Sequence, residues 1–268
     1  MSETWGAARK RPAAVPFARP EVHINRIGFG DLREALARGW EDFLACPTQL
    51  VFLCMLYPLL GLVFARAAAT GHLLQMIYPM VAGFALVGPV AALGLYEISR
   101  RRERGEPVSW TNTFDVLKEP GLLSIAVLAV ALVLLFLAWL SVALRIYEAT
   151  MGVASPASVG AFISNLFGTW AGWRLIILGN AVGFLFAMVA LVGTVIAFPL
   201  ILDRQAGPVS AVEASVRATL ANPVPMAAWG LIVAVVLALG MLPVFVGLAV
   251  ALPVLGHATW HLYRRLVD

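Results

Sequence analysis

Residues 224–263 are forty consecutive positions without Asp, Glu, Lys or Arg. As one helix at about 1.5 Å per residue they would reach roughly 60 Å, twice the hydrocarbon thickness of a bilayer. The tract must therefore double back. GMLPVFVG at 240–247 supplies Gly240, Pro243 and Gly247 for the turn. Four further windows, 48–65, 72–96, 121–144 and 175–202, also carry no ionisable Asp, Glu, Lys or Arg. Each is long enough to cross the hydrocarbon as a helix. The count is six spans, in three hairpins.

Charge supports the same count. Apolar residues make up 61% of the 268 and charged residues 13%, with a mean hydropathy of +0.87. Six spans put 16 of the 19 basic residues on one side and leave Arg66, Arg145 and Arg174 on the other. The positive-inside rule then predicts a bacterial inner-membrane protein with both termini in the cytoplasm. The basic face is expected to favour anionic lipid headgroups. Its charges are scattered and juxtamembrane, which argues against nucleic acid.

Residues 1–30 are basic, contain Pro and Gly, and lack an apolar core, so they predict a flexible cytosolic tail rather than a signal peptide. The two cysteines, Cys46 and Cys54, are too few for a disulfide framework or a zinc site. In the uncharged stretch 149–173, Ser155-Pro156 fits an N-cap with proline at the first helical position. That piece is short and polar, and predicts a helix lying in the outer interface.

The polar segments share a form. FLACP (43–47), VLKEP (116–120) and TLANP (219–223) each end on a proline just before a span. Ahead of those prolines the apolar residues have helical spacing. Leu32, Leu36, Trp40, Phe43 and Leu44 fall on one face, then Trp110, Phe114 and Leu117, then Val212, Val216 and Leu220. Asp31 with Glu34, and Ser210 with Glu213, fit the spacing of a capping box. The predicted fold is an all-α polytopic bundle: one membrane domain over 31–268, made of three units at approximately 31–104, 107–206 and 208–268. Each unit is an amphipathic interfacial helix followed by a transmembrane hairpin.

Two hairpin ends align without a gap, PVAALGLYEISRR (89–101) and PVLGHATWHLYRR (253–265). Pro89 pairs with Pro253, Tyr96 with Trp260 and Arg100-Arg101 with Arg264-Arg265. A kink, an interfacial ring and cationic anchors are parts of a membrane exit. His257 and His261 take slots held by Leu93 and Glu97 in the first copy. They share a helical face, but a metal needs further ligands. His23 is in the tail, His72 at the opposite surface, and Cys46 stands alone. These histidines are expected to bond water or a neighbour, with no metal and no cofactor.

The span centres hold no charge, and Glu97 and Asp203 sit at cytosolic ends beside Arg100 and Arg204, where solvated ion pairs are expected. Asn180 and Gln75 are the most polar side chains inside the spans. Asn180 is expected to bond a neighbouring helix. No phosphate loop, H-E-x-x-H or nucleophile elbow is present, so no catalytic residue is assigned and no enzyme activity is expected.

DLREALARGWEDFLACP, YPLLGLVFA, GFALVGPVAALGLYEISRRRERG, FPLILDR and LPVLGHATWHLYRR resemble an uncharacterised bacterial family of predicted integral membrane proteins, over nearly all of residues 22–268. That family is a domain of unknown function, so the resemblance implies class and no activity. Some members are labelled relatives of cytochrome c oxidase subunit I. This chain lacks the in-membrane histidines that would hold haem and copper, so the label is set aside. The functional expectation is a non-enzymatic accessory or scaffold subunit, partnered by a membrane protein or a second copy. The alternative is a transporter or lipid-handling protein built around Asn180 and Gln75.

Overall fold

The computed structural model describes residues 21–46, 74–243 and 245–268. Most of the expected tail and the window 48–65 lie outside the described residues. Within them every element is helical, apart from one antiparallel bridge between Ile24 and Val267. Helix α1 is Phe29–Ala45. A segmented helical run follows: a 3-10 turn Leu74–Met76, α2 Ile77–Phe84, a 3-10 turn Ala85–Val87, α3 Gly88–Ala91 and α4 Leu93–Glu103. Trp110–Lys118 is a 3-10 helix. Then come α5 Leu122–Met151, α6 Val159–Gly168, α7 Trp170–Thr194, α8 Ala197–Arg204, α9 Pro208–Ala221, α10 Pro223–Met241 and α11 Leu248–Leu266.

Three helices among the described residues are long and apolar enough to cross a membrane: Leu122–Met151, Trp170–Arg204 and Pro223–Met241. Leu123, Val130 and Leu134 on α5, Phe184 and Leu185 on α7, and Leu231 and Leu239 on α10 are exposed. Large apolar side chains left uncovered along a whole helix face are what lipid solvates. Between α10 and α11 the chain reverses over 242–247, as the length of the tract requires. A Cβ on Gly247 would lie 2.8 Å from Cα and the carbonyl oxygen of Gly240, so the two arms meet backbone to backbone there.

The other end of the molecule is a closely packed head. Its centre is made by the ends of three helices, α4, α8 and α11. Leu95, Ile98, Phe198, Leu200, Ile201, Trp260, Leu262 and Tyr263 are buried there almost completely. Each segment that precedes a proline lies on one of these helices. Helix α1 lies along α11, 110–118 along α4, and α9 along α8 and the end of α7 that leads into it. Small residues permit the approach: Gly39 meets Ala258, Gly94 meets Thr113, and Gly256 meets Leu95. Pro47 lies outside the described residues, and the other two prolines act as expected. Helix α9 stops at Ala221, and Pro223 is the first residue of α10, where its missing N–H costs no hydrogen bond.

Several local expectations are corrected. Asp31 does not cap α1 as the first residue; it sits one turn in and its Oδ2 accepts the Gly28 N–H at 2.9 Å. Helix α9 starts with Pro208, and the Ser210 hydroxyl donates to the Gly207 carbonyl rather than capping a helix. Helix α6 is capped by Ser158, whose Oγ accepts the Ala161 N–H at 3.1 Å, not by Ser155. The second pre-proline segment is 3-10 rather than α. On α1, Leu32 and Phe43 are buried while Trp40 and Leu44 are exposed, so the stripe read as one face is two.

Residues 22–28, the end of the stretch expected to be a tail, run extended against the head. Asn25 N–H donates to the Leu266 carbonyl at 2.9 Å. Asn222 bridges the same strand, accepting the Ile27 N–H at 2.8 Å and donating to the Asn25 carbonyl at 2.9 Å. One buried side chain thus satisfies both a donor and an acceptor of the strand.

Candidate functional site

The head holds an unusual amount of buried charge for a chain so poor in it. Asp42, Glu97, Arg100 and His257 are all buried. Such groups persist only when paired and hydrogen-bonded, so their partners define the layer.

The first node joins α1, α4 and α11. Asp42 Oδ2 accepts the Ser99 hydroxyl at 2.5 Å and His261 Nε2–H at 2.8 Å, while Oδ1 pairs with Arg102 Nη1 at 2.9 Å. Because Ser99 spends its only proton on Asp42, its oxygen accepts from His257 Nδ1 at 2.8 Å, which places that ring's proton on Nδ1. His257 is wholly buried, and its Nε2 has no hydrogen-bond partner among the described residues. Burial pushes the Asp42 carboxyl up, but the bonds from His261 and Ser99 and the nearby rings pull it down further. The net effect holds it below the ordinary carboxylate range. Burial also raises the Cys46 thiol, with Arg102 opposing and Asp42 adding to the rise.

The second node joins α4, the 3-10 helix 110–118 and α8. Arg100 pairs with Glu97 and Glu119, and its Nη1 donates to the Leu202 carbonyl at 2.6 Å. Arg101 Nε donates to Glu97 at 2.7 Å, and its Nη2 lies 3.2 Å from Asp115. The ion pair expected to be solvated at Glu97–Arg100 is instead enclosed, because α8 and Glu119 close over it. At the third node the Tyr263 hydroxyl donates to Asp203 at 2.8 Å, whereas Arg204 stands 4.0 Å from Asp203. Glu103 accepts from Trp260 Nε1 at 3.1 Å and Arg264 Nε at 2.9 Å.

These nodes link the three central helices in pairs: α4 to α11 through Ser99 and His257, α4 to α8 through Arg100 and Leu202, and α8 to α11 through Asp203 and Tyr263. The layer is suited to holding helix ends in fixed register. Ser99 is fully buried there, between the carboxylate of Asp42 and the imidazole of His257. Among the described residues no group of three or more His, Cys, Asp and Glu is placed to hold a metal ion. Asn180 is engaged between helices, accepting from the Tyr78 hydroxyl at 2.7 Å and donating to its own helix at the Ile176 carbonyl. Gln75 lies in the 3-10 turn before α2.

Two open depressions mark the head surface. One, about 280 Å³, is lined by Ala35, Arg38, Glu103, His261, Arg264 and Arg265. The other, about 670 Å³, includes His23, Ser210, Arg217 and Asp268. The arginines of the first already face Glu34, Glu103 and Asp203.

His257 and His261 were visible in sequence, but Asp42 and Ser99 were not singled out. A signal was present: Asp42 falls in register with Leu32, Ala35, Gly39 and Phe43, a carboxylate within the helix face that is buried. Residues 77–203 match a family described as "Predicted integral membrane protein (DUF2189)". That is the uncharacterised membrane-protein family expected from the resemblance. No curated protein and no solved structure matches the chain.

Proposed function

We propose, for a chain whose residues 77–203 are those of a predicted integral membrane protein of unknown function, that it serves as a non-enzymatic accessory or scaffold subunit of a complex in the bacterial inner membrane. The observation that carries this reading is the contrast between its two ends. The head is cross-linked by buried hydrogen bonds, while α5, α7 and α10 offer long uncovered apolar faces. A rigid frame with uncovered helix faces suits packing against another membrane protein or a second copy. The charged head residues left in solvent suit anionic headgroups.

The six-span arrangement belongs to the same reading. Pairing of Ile24 with Val267 keeps the two ends of the described chain on one side, which favours an even number of crossings between them. Placement of that side in the cytoplasm rests on the charge count. The packing of each pre-proline segment on the helix end of the preceding unit, with α1 closing onto α11, supports three related units. The transport alternative loses its best polar group, since Asn180 is committed to Tyr78.

Extraction in mild detergent followed by co-purification tests the proposal. A stoichiometric membrane-protein partner or a stable homo-oligomer is expected. A clean monomer with no partner would count against it. Reporter fusions after residue 268 test the topology, and a periplasmic signal there would overturn it.

A further inference from the structure

Helix α1 is fastened to the head by guanidinium pairs, Arg102 with Asp42 and Arg265 with Glu34, and, unlike the other two pre-proline segments, by imidazoles as well. The 3-10 helix 110–118 is tied through Arg101 to Asp115, and α9 through the Ser215 hydroxyl to the Val192 carbonyl at 2.8 Å. Guanidinium and hydroxyl groups keep one charge state across the physiological range. Helix α1 is tied through Asp42 to two imidazoles, the one side chain that ordinarily changes charge between pH 5 and 8.

We propose that Asp42, His257 and His261 form a pH-operated latch that holds α1 on α11 at neutral pH and releases it on acidification. This goes beyond an accessory role by adding regulation to the head. With both rings neutral, the node contains one anion, Asp42, and one cation, Arg102, paired at 2.9 Å. A proton on His257 adds a positive charge that no water can screen, because that ring is wholly enclosed. The sole carboxylate in contact is already shared.

No neighbouring element supplies relief. Ser99 and Arg102 face the node from α4, and Cys46 lies beside Asp42 on the α1 side. One turn further along α11 come Arg264 and Arg265, which are occupied by Glu103, Asp203, Asp31 and Glu34. Arg38 of α1 pairs with Glu34. Helix α8 contributes Asp203, held by Tyr263, and Arg204, 4.0 Å from Asp203, and α10 carries no ionisable side chain. The matching slot in the first hairpin is filled by Leu93, an apolar side chain that is buried at its own site. Release of α1 would uncover the stripe of Leu32, Ala35 and Phe43, an apolar surface suited to a partner.

Hydrogen exchange on the full chain in nanodiscs, followed by mass spectrometry at pH about 8 and about 5.5 and corrected for intrinsic exchange, tests the latch. Protection of residues 29–46 is expected to fall at least about tenfold at the lower pH and to recover on return. Residues 208–221 should hold their protection and serve as the internal control. The double variant His257→Leu, His261→Gln should lose the response while keeping α1 protected at both pH values. Should the double variant fail to fold, His257→Gln alone carries the test, because its amide can still donate to Ser99; a response cut at least by half is expected. Equal protection of 29–46 at both pH values overturns the proposal. So does a loss shared by 208–221, or a full response in a folded variant.

Discussion

Gly39 of α1 lies so close to Ala258 of α11 that a Cβ built on Gly39 would stand 2.6 Å from the Ala258 backbone nitrogen and 2.7 Å from its Cβ. Two helix backbones approach here as closely as they can, and the approach brings Asp42, one turn on, within reach of both histidines. Substituting Gly39→Leu should force the helices apart and destabilise the head by about 3 kcal/mol or more. Gly30→Ala, at a position with open space around it, should change stability by less than about 1 kcal/mol. Thermal unfolding in detergent, read on both variants, checks the difference.

Asp42→Asn removes the only carboxylate that compensates Arg102 within the first node. The expected loss is about 3–5 kcal/mol, typical of breaking a buried pair by deleting one partner. The pH dependence follows from sign. The Asp42 carboxyl is held below its ordinary value of 3.8 in the folded protein, so its contribution is present above that value. It is lost as pH falls through the lower folded value. Denaturation midpoints taken between neutral pH and pH about 3 should show an acid limb in the parent chain that is shallower in Asp42→Asn.

Arg100→Leu should be among the most damaging single changes in the head. It leaves Glu119 without its cation and Glu97 with Arg101 alone, and it frees the Leu202 carbonyl. A loss of about 3–5 kcal/mol is expected. The double variant Arg100→Leu, Glu97→Leu should recover part of it, because a matched apolar pair need not be solvated. A double variant less stable than Arg100→Leu would contradict the assignment.

Tyr78→Phe removes the hydroxyl that reaches Asn180 across two helices. In a membrane protein such a bond contributes about 0.6 kcal/mol, up to about 1.7. Asn180→Leu should cost a similar amount. The two changes together should cost less than their sum, a coupling that a double-mutant cycle measures directly.

What could be read from the sequence follows a physical division. The reversal at 240–247 was legible because an uncharged tract that long has no other way to fit a bilayer. The helix over 121–144 and the run over 175–202 were legible for the same reason, and appear as α5 and as α7 with α8. Stops at Pro120 and Pro223 were legible because proline acts locally. The split of the α1 stripe was not, since Trp40 and Leu44 have the same spacing whether they face protein or lipid. The buried layer was hidden for a different reason. Asp42 and His261 are separated by 219 positions, and Ser99 and His257 by 158, so nothing local marks them as partners.

That separation has a consequence for how the protein is made. A ribosome delivers α1 and α4 long before α11, so Asp42 and Ser99 enter the bilayer surface with their imidazole partners still unsynthesised. Helix α11 is the keystone of the arch, made after the stones it holds. Nascent chains arrested before residue 248 should therefore depend on insertion chaperones and be easy prey for membrane proteases.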